Sequence, residues 1–276
     1  MFDTWSEDAP SDAEADILNK AVPQMTRMEM LSHEKDLLGF YVSGHPIAKY
    51  SAIASSFQSV SQIDSMIKEL GQQLNKNPLT GDDPGMRRRR KDTVRQVQFC
   101  AFISEVETKF TKKDGNKWCL LKVEDAGCKM DIPVFPKTLA SLNCSDLDPQ
   151  SALEKGRSMF FGAEIGASFR GNEASITLTE CMPIEMVPEK MARGVTLTVK
   201  TANISVAKLK EIYDVLQKNP GHVQVNLTLQ IDPKTDVTLT ASHELSVLPD
   251  AHFAAAAEKV LGKNCLRYQI RNPSRQ

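Results

Sequence analysis

The sequence lacks several features that define broad classes of protein. No stretch approaches the ~18 consecutive apolar residues of a membrane-spanning helix, and the first residues, Met1–Asp8, have neither the basic nor the apolar region of a signal peptide. The six cysteines form no Cys-x-x-Cys pair and no zinc-ligand spacing with a histidine. We therefore expect reduced, mostly buried thiols, no metal or other cofactor, no membrane partner and a cytoplasmic location.

An excess of charge of one sign is also missing. The 34 basic and 35 acidic side chains give a net charge of −1, which at first argues against a nucleic-acid partner. The charges are unevenly distributed, because six acidic residues precede the first basic one and a basic run follows at Arg87–Lys91. The total therefore hides local positive charge and does not exclude nucleic-acid binding.

The length of 276 residues and the apolar content of 41% suit about two packed domains. Changes in composition and periodicity predict an α+β multidomain chain in five parts. The parts are an acidic flexible linker (1–25), a helical module (26–75), a basic linker (76–93), a five-stranded OB-fold β-barrel (94–190) and a small C-terminal α+β domain (194–271).

Helix signals define the second part. Thr26 and Glu29 have the spacing of a capping box, and Gly44-His45-Pro46 ends the pattern. We predict a second helix over 47–57 and a third that starts at Ser61 with Asp64 and runs to about residue 74. Residues 75–95 contain Asn-Pro, Gly-Asp-Asp-Pro-Gly and the basic run, which predict a linker or long loop.

From about Val94 the periodicity becomes strand-like. Five predicted strands, with a short helix over 136–142 between the third and fourth, have the order of an OB-fold barrel. An unrelated five-stranded barrel remains the alternative. The predicted strands cover residues 97–106, 118–123, 130–135, 158–169 and 174–182.

The last part alternates strands and helices. Ser205 and Asp250 are placed to cap two helices, and strands are predicted over 195–199, 223–231, 237–240 and 265–270. The stripe Val206, Leu209, Ile212 and Leu216 is the expected core face of the first of these helices. This small α+β domain carries no catalytic signature.

Single-strand binding by an OB-fold needs positive potential and flat side chains on which bases stack. In the second strand, alternation assigns Cys119, Leu121 and Val123 to the core and the residues between them to the ligand groove. The predicted binding residues of this barrel are Lys109, Lys112, Lys113, Lys117, Trp118, Lys122 and Arg170. The alternative is that Trp118 packs against the barrel rim and the lysines are solvated.

The basic run is the densest charge in the chain. Arg87, Arg88, Arg89 and Arg90 are candidates to hold phosphates, and such contacts weaken with salt. A solvated linker is an equally good interpretation of the same residues.

Three stretches together resemble the C-terminal third of the bacterial replicative DNA polymerase III alpha subunit. The most specific is Glu34-Lys35-Asp36-Leu37-Leu38-Gly39-Phe40-Tyr41-Val42-Ser43-Gly44-His45-Pro46. The second, in the barrel, comprises Thr111-Lys112-Lys113, Val123-Glu124-Asp125-Ala126-Gly127 and Val134-Phe135-Pro136. The third is Ala192-Arg193-Gly194, which leads into the last domain. The resemblance covers nearly the whole chain from residue 27 to residue 270.

The resemblance implies a non-catalytic part of a replicative polymerase. The polymerase carboxylates of that family lie upstream of these motifs, so we expect no catalytic site in this chain and an internal or introduced start at Met1. The implied partners are single-stranded template DNA at the OB-fold and the clamp-loader tau subunit at the last domain. A sliding-clamp motif of the form Gln-x-x-Met-Phe is incomplete at Met1-Phe2.

Three other functions compete with this interpretation. The first is a stand-alone OB-fold protein that binds single-stranded nucleic acid. The second is an enzyme such as a nuclease, which needs clustered carboxylates or histidines where this sequence has scattered ones. The third is a pure interaction module, which intact single-strand affinity would rule out.

Overall fold

The computed structural model describes residues 25–80, 84–110, 115, 117–145, 147–168, 173–200, 205–232 and 235–270. These residues form helices and two β-sheets of five and four strands, which confirms the α+β class. The chain divides after His45 into two compact units, each described separately below.

The first unit contains helix α1 (Arg27–Leu38). The predicted capping box is confirmed: the Glu29 amide donates to the Thr26 hydroxyl at 3.3 Å, and the Thr26 amide donates to the Glu29 carboxylate at 2.8 Å. The helix ends at Gly39, whose φ of +79° is a left-handed conformation that glycine adopts without a steric penalty.

The loop after α1 explains the specific motif at 34–46. The Glu34 carboxylate accepts hydrogen bonds from the amides of Val42 and Ser43, at 2.8 and 2.9 Å, and from the Ser43 hydroxyl. The hydrogen bond from the Ser43 hydroxyl, followed by the bond from the Ser43 amide, lowers the pKa of the Glu34 carboxyl. The Tyr41 ring packs edge-on against His45 with centroids 5.1 Å apart, and the Lys35 ammonium lies 4.6 Å from the Tyr41 ring centre. The motif therefore holds a turn in place.

The second unit starts with helical segments whose bounds differ from the prediction. The predicted helix over 47–57 is a 3-10 turn (Pro46–Tyr50) followed by the short helix α2 (Ser51–Ala54). Helix α3 (Val60–Lys76) is capped by Ser59 and Gln62 instead of Ser61 and Asp64. The Asp64 carboxylate instead pairs with Lys68 one turn later, at 2.6 Å.

The segment predicted as a linker or long loop contains a helix, so residues 84–92 are not a loop. Helix α4 (Pro84–Asp92) starts with proline, which suits a first helical position, and continues with arginines that have good helix propensity. The Arg90 Nε donates to the Leu79 carbonyl at 2.9 Å, and the Thr93 hydroxyl donates to the Arg90 carbonyl at 2.7 Å. The first bond fixes the Arg90 side chain, and the second fixes the end of the helix.

The first sheet is antiparallel, in the order β3-β2-β1-β4-β5. Its strands are β1 (Arg95–Phe110), β2 (Lys117–Glu124), β3 (Lys129–Val134), β4 (Ser158–Ala167) and β5 (Ala174–Pro183). Helices α5 (Pro136–Ser141) and α6 (Pro149–Ala152) lie between β3 and β4, where one helix was predicted. Helix α3 covers this sheet with its buried residues Val60, Ile63, Leu70 and Leu74.

The predicted barrel does not close. Strands β3 and β5 approach each other, with Cα atoms within 8 Å, but no backbone ladder joins them in the described part of the chain. The segment after α5 instead reaches β5, where Asn143 forms an isolated parallel bridge with Glu180. This segment occupies part of the β5 edge that a closed barrel would use.

The second sheet has the order β8-β7-β6-β9. Its strands are β6 (Ala192–Lys200), β7 (Pro220–Asp232), β8 (Thr235–Thr240) and β9 (Leu266–Ile270), and the short helix α7 (Val187–Met191) precedes them. Strands β6 and β7 are parallel and are connected through helix α8 (Val206–Lys218), while helix α9 (Ala251–Leu261) precedes β9. Both predicted caps are confirmed, since Ser205 accepts from the Lys208 amide at 3.1 Å and Asp250 from the Phe253 amide at 2.7 Å.

Two hydrophobic cores hold the second unit together. One lies between the first sheet and α3. The other contains Phe160 and Met182 of the first sheet together with Val195, Leu197 and Phe253 around the second sheet, so the two sheets share a core. The expected core stripe of α8 is only half buried, because Ile212 and Leu216 are inside while Val206 and Leu209 are exposed.

Candidate nucleic-acid interface

Strand β2 places alternate side chains on opposite faces, as predicted. Leu121 and Val123 are fully buried on the core side. On the outer side, Trp118 lies opposite Lys109 of β1 and Leu120 lies opposite Glu107. The outer face of β1, β2 and β3 therefore presents the side chains expected in the groove.

An aromatic pair dominates this face. The rings of Trp118 and Phe135 are stacked, with centroids 5.4 Å apart and planes 28° apart. Phe135 is 49% exposed, Trp118 is half-buried, and the Lys109 ammonium lies 5.6 Å from the Trp118 ring centre. Base stacking requires a flat ring with a free face, and in this pair Phe135 is the more exposed ring.

Phe135 was not among the predicted binding residues, although a signal for it was present. Met130, Ile132 and Val134 of β3 are buried, so the residues in the opposite phase face outward. Phe135 follows Val134 in that outward phase, next to the Trp118 strand. Extending the period-two argument from β2 to β3 would have found it.

The predicted lysines on this face are paired with glutamates of β1. The Lys122 ammonium contacts Glu105 at 2.9 Å and also pairs with Glu107, which in turn contacts Lys109 at 3.1 Å. Lys122, followed by Lys109, lowers the pKa of the Glu107 carboxyl, and the two glutamates raise the pKa of Lys122. The positive charge expected here is therefore largely offset.

The other predicted residues are found in different places. Lys112, Lys113 and Arg170 lie outside the described residues, and Lys117 is described only by its backbone, in β2. Arg87, Arg88 and Arg89 are exposed on α4, and the half-buried Arg90 donates to Leu79. The structure thus brings Lys109, Trp118 and Lys122 together and places the arginines on a separate helix.

A cavity of ≈780 Å³ opens beside Trp118. Val106, Val134, Leu139 and Leu153 contribute apolar walls, and carboxylates of Asp148 and Glu154 also line it. Lys155 lines it as well, and Glu154 contacts Arg157 at 3.1 Å, so the cavity carries charges of both signs.

Asp148 belongs to an Asp-x-Asp spacing with Asp146, which lies outside the described residues. Its carboxylate accepts from the Ser151 amide at 3.1 Å and thereby caps α6. Capping a helix is a structural use of this side chain.

Two kinds of feature are absent from the described residues. No group of three or more histidine, cysteine or acidic side chains has an arrangement that would hold a metal ion there. In the same residues, no helix is long and apolar enough to span a membrane.

No family model matches the chain. Several curated proteins do match, all named DNA polymerase III subunit alpha. The protein from Saccharopolyspora erythraea is 24% identical over 243 residues, which cover 87% of this chain and 18% of that protein. The corresponding proteins from Mycobacterium tuberculosis and Vibrio cholerae are each 22% identical and cover 86% and 92% of this chain, but 17% and 19% of their own lengths. The chain thus spans less than a fifth of the curated relatives it matches, and over most of its length it is similar to DNA polymerase III subunit alpha.

Proposed function

We propose that this chain is the non-catalytic C-terminal part of a bacterial replicative DNA polymerase III alpha subunit. In this proposal the first sheet has an OB-type arrangement and binds the single-stranded template, and the second-sheet region tethers the polymerase to the clamp-loader tau subunit. The names of the relatives and the ordered motifs support the replicative role. The strand order, with helices between the third and fourth strands, supports the OB-type assignment.

The observation that carries the proposal is the stacked pair of Trp118 and Phe135. The two rings face each other on the outer side of the sheet, so each uses one face for the pair, and a base would stack on the remaining face, of which the 49% exposed Phe135 ring offers the more. Stacking of a base on an aromatic ring contributes ~1–3 kcal/mol without selecting a particular base, as a template-binding surface requires.

The ion pairs of this face set the strength of the proposed contact. Lys109 and Lys122 already neutralise Glu105 and Glu107, so a phosphate must compete with carboxylates for them. Phosphate attraction then depends on the predicted binding residues Lys112, Lys113 and Lys117 and on the exposed arginines of α4. We therefore expect modest affinity that falls with salt.

The tether belongs to the same proposal and depends on the resemblance. Helix α8 contributes an exposed apolar strip, with Val206 86% exposed and Leu209 40% exposed. Apolar side chains at the surface of a predicted docking domain are suitable anchors for a protein partner. The partial clamp motif at Met1-Phe2 lies outside the described residues.

Alanine substitutions on the outer face test the proposal. We predict that Trp118→Ala weakens binding of a fluorescent oligo(dT) about 5- to 150-fold in an anisotropy titration, and that Phe135→Ala also weakens it, because each removes a stacking surface. Tyr213→Ala removes an exposed aromatic ring from α8 and is the matched control, expected to leave affinity unchanged.

A thermal melt of each variant shows whether it remains folded. Unchanged affinity in a folded Trp118→Ala protein would contradict the proposed binding face.

A further inference from the structure

Two buried cysteines lie side by side at the edge of the first sheet. Cys144 follows α5 and Cys181 lies on β5, 37 residues later, with their Sγ atoms 3.0 Å apart. Both are free thiols in the structure, 3% and 0% exposed. Since a disulfide bond is ~2.05 Å long, the sulfurs need to approach by only about 1 Å to form one.

The backbone keeps the two thiols opposite each other. The Asn143 amide donates to the Thr179 carbonyl at 3.2 Å, and the Cys181 amide donates to the Asn143 carbonyl at 2.8 Å. These bonds align the segment after α5 with β5 over the residues that carry the two thiols. The pairing of this segment with β5 therefore places the two sulfurs close together.

We propose that Cys144 and Cys181 form an intramolecular disulfide bond when the protein meets a peroxide. The thiolate of one cysteine attacks a peroxide oxygen and the O–O bond breaks; with hydrogen peroxide this gives a sulfenic acid and hydroxide, which takes up the proton released by the thiol and becomes one water. The second thiolate then attacks the sulfenic sulfur, the S–S bond forms, and hydroxide leaves and takes up a proton as a second water. Two thiols and one hydrogen peroxide thus yield one disulfide and two waters.

Burial controls the rate of this reaction. Burial raises the pKa of both thiols, and the thiolate is the reactive form, so the closed structure reacts slowly. The reaction proceeds when the segment around Cys144 opens locally and admits peroxide. Reclosure then returns the sulfenic acid to its partner thiol.

The disulfide would restrain the segment between α5 and α6. It ties the segment between α5 and α6 to β5, on the side where β3 and β5 lack a ladder in the described chain. Leu139 of α5 and Leu153, on either side of this segment, line the cavity beside Trp118. The disulfide would thus fix the part of the fold next to the proposed binding face.

Peptide mapping of the full chain tests the proposal directly. After treatment with a small excess of hydrogen peroxide, the protein is unfolded and alkylated, then digested for mass spectrometry. We expect a Cys144–Cys181 linked peptide that dithiothreitol removes, while Cys100 and Cys265, buried in the other core, remain alkylated. Alkylated Cys144 and Cys181, or sulfinic acids at these positions, would overturn the proposal.

Stability and substitution provide independent checks. Chain-entropy arguments predict that a cross-link of this span lowers the unfolding equilibrium constant by two to three powers of ten, about a 5 °C or greater rise in Tm. Cys144→Ser abolishes both the linked peptide and the peroxide-induced rise, whereas Cys100→Ser retains them. If either variant fails to fold, the wild-type peptide map alone decides.

Discussion

At the scale of single residues, Lys109 and Lys122 show that the positive charge a lysine adds to a surface depends on the side chains beside it. Both lie on the predicted face, yet each contacts a glutamate of β1. Glu107 precedes Lys109 by two residues on β1, so period-two alternation already places that pair on one face. The contact of Lys122 with Glu105 instead crosses from β2 to β1, and it depends on a bulge between Ile103 and Glu105 that shifts the register of the two strands. Alternation within one strand therefore finds the face but not the ion pair between strands.

Asp125 is a half-buried turn residue whose carboxylate joins the turn between β2 and β3 to helix α3. Its carboxylate accepts from the Val60 amide at the start of α3, at 2.8 Å, and from the amides of Gly127 and Cys128 at 2.9 and 2.8 Å. We predict that Asp125→Ala lowers the free energy of unfolding by about 2 kcal/mol, measured by urea denaturation, because a helix cap and a turn are lost together.

The control for this prediction is Asp131→Ala, which changes an exposed carboxylate on β3. Its effect should stay within about 0.5 kcal/mol. Equal destabilisation by the two substitutions would show that the contacts of Asp125 are not the cause.

At the scale of elements, α4 converts a basic run into an ordered basic helix. The sequence predicted a linker because Gly, Asp and Pro surround residue 84, and such composition usually ends regular structure. The same proline, however, is well placed to start a helix, and the bond from Arg90 to Leu79 holds that helix to the chain before it. Local composition alone could not choose between these outcomes.

The arginines of α4 should contribute to the salt dependence of binding. We predict that Arg88→Ala with Arg89→Ala flattens the plot of log affinity against log salt by about 1.4, since each phosphate contact to a single strand contributes ~0.7 to the slope. Anisotropy titrations of oligo(dT) at four salt concentrations measure this slope. Arg193→Ala, an exposed arginine on β6, is the matched control, and a slope equal to that of the unsubstituted protein in the double variant would exclude α4 from the interface.

At the scale of the whole molecule, local patterns predicted more than long-range ones. Capping residues such as Thr26, Ser205 and Asp250 were identified because their hydrogen bonds reach only three residues along the chain. The open edge between β3 and β5 and the core shared by the two sheets depend on contacts between distant residues, which periodicity does not encode. Phe160 is an example: its strand was predicted, but its packing against Phe57, with ring centroids 4.9 Å apart, was not.

The shared core predicts that the two sheets unfold together. Phe160 is fully buried on β4 and belongs to the cluster that includes the second sheet. Phe160→Ala should lower the free energy of unfolding by about 3–5 kcal/mol and weaken amide-exchange protection in both sheets. Phe110→Ala removes a ring that is 66% exposed and should change neither, and loss of protection confined to β1–β5 in the Phe160 variant would contradict a shared core.

The central claim is that single-stranded DNA stacks on the outer face of the first sheet. The chain has two tryptophans, so Trp5→Phe leaves Trp118 as the only indole reporter. We predict that titration of this variant with oligo(dT) quenches the tryptophan fluorescence saturably, with the same midpoint as the anisotropy change, because a base stacked on the indole quenches its emission. Binding that leaves the fluorescence of Trp118 unchanged, or no binding at low salt, would contradict the claim.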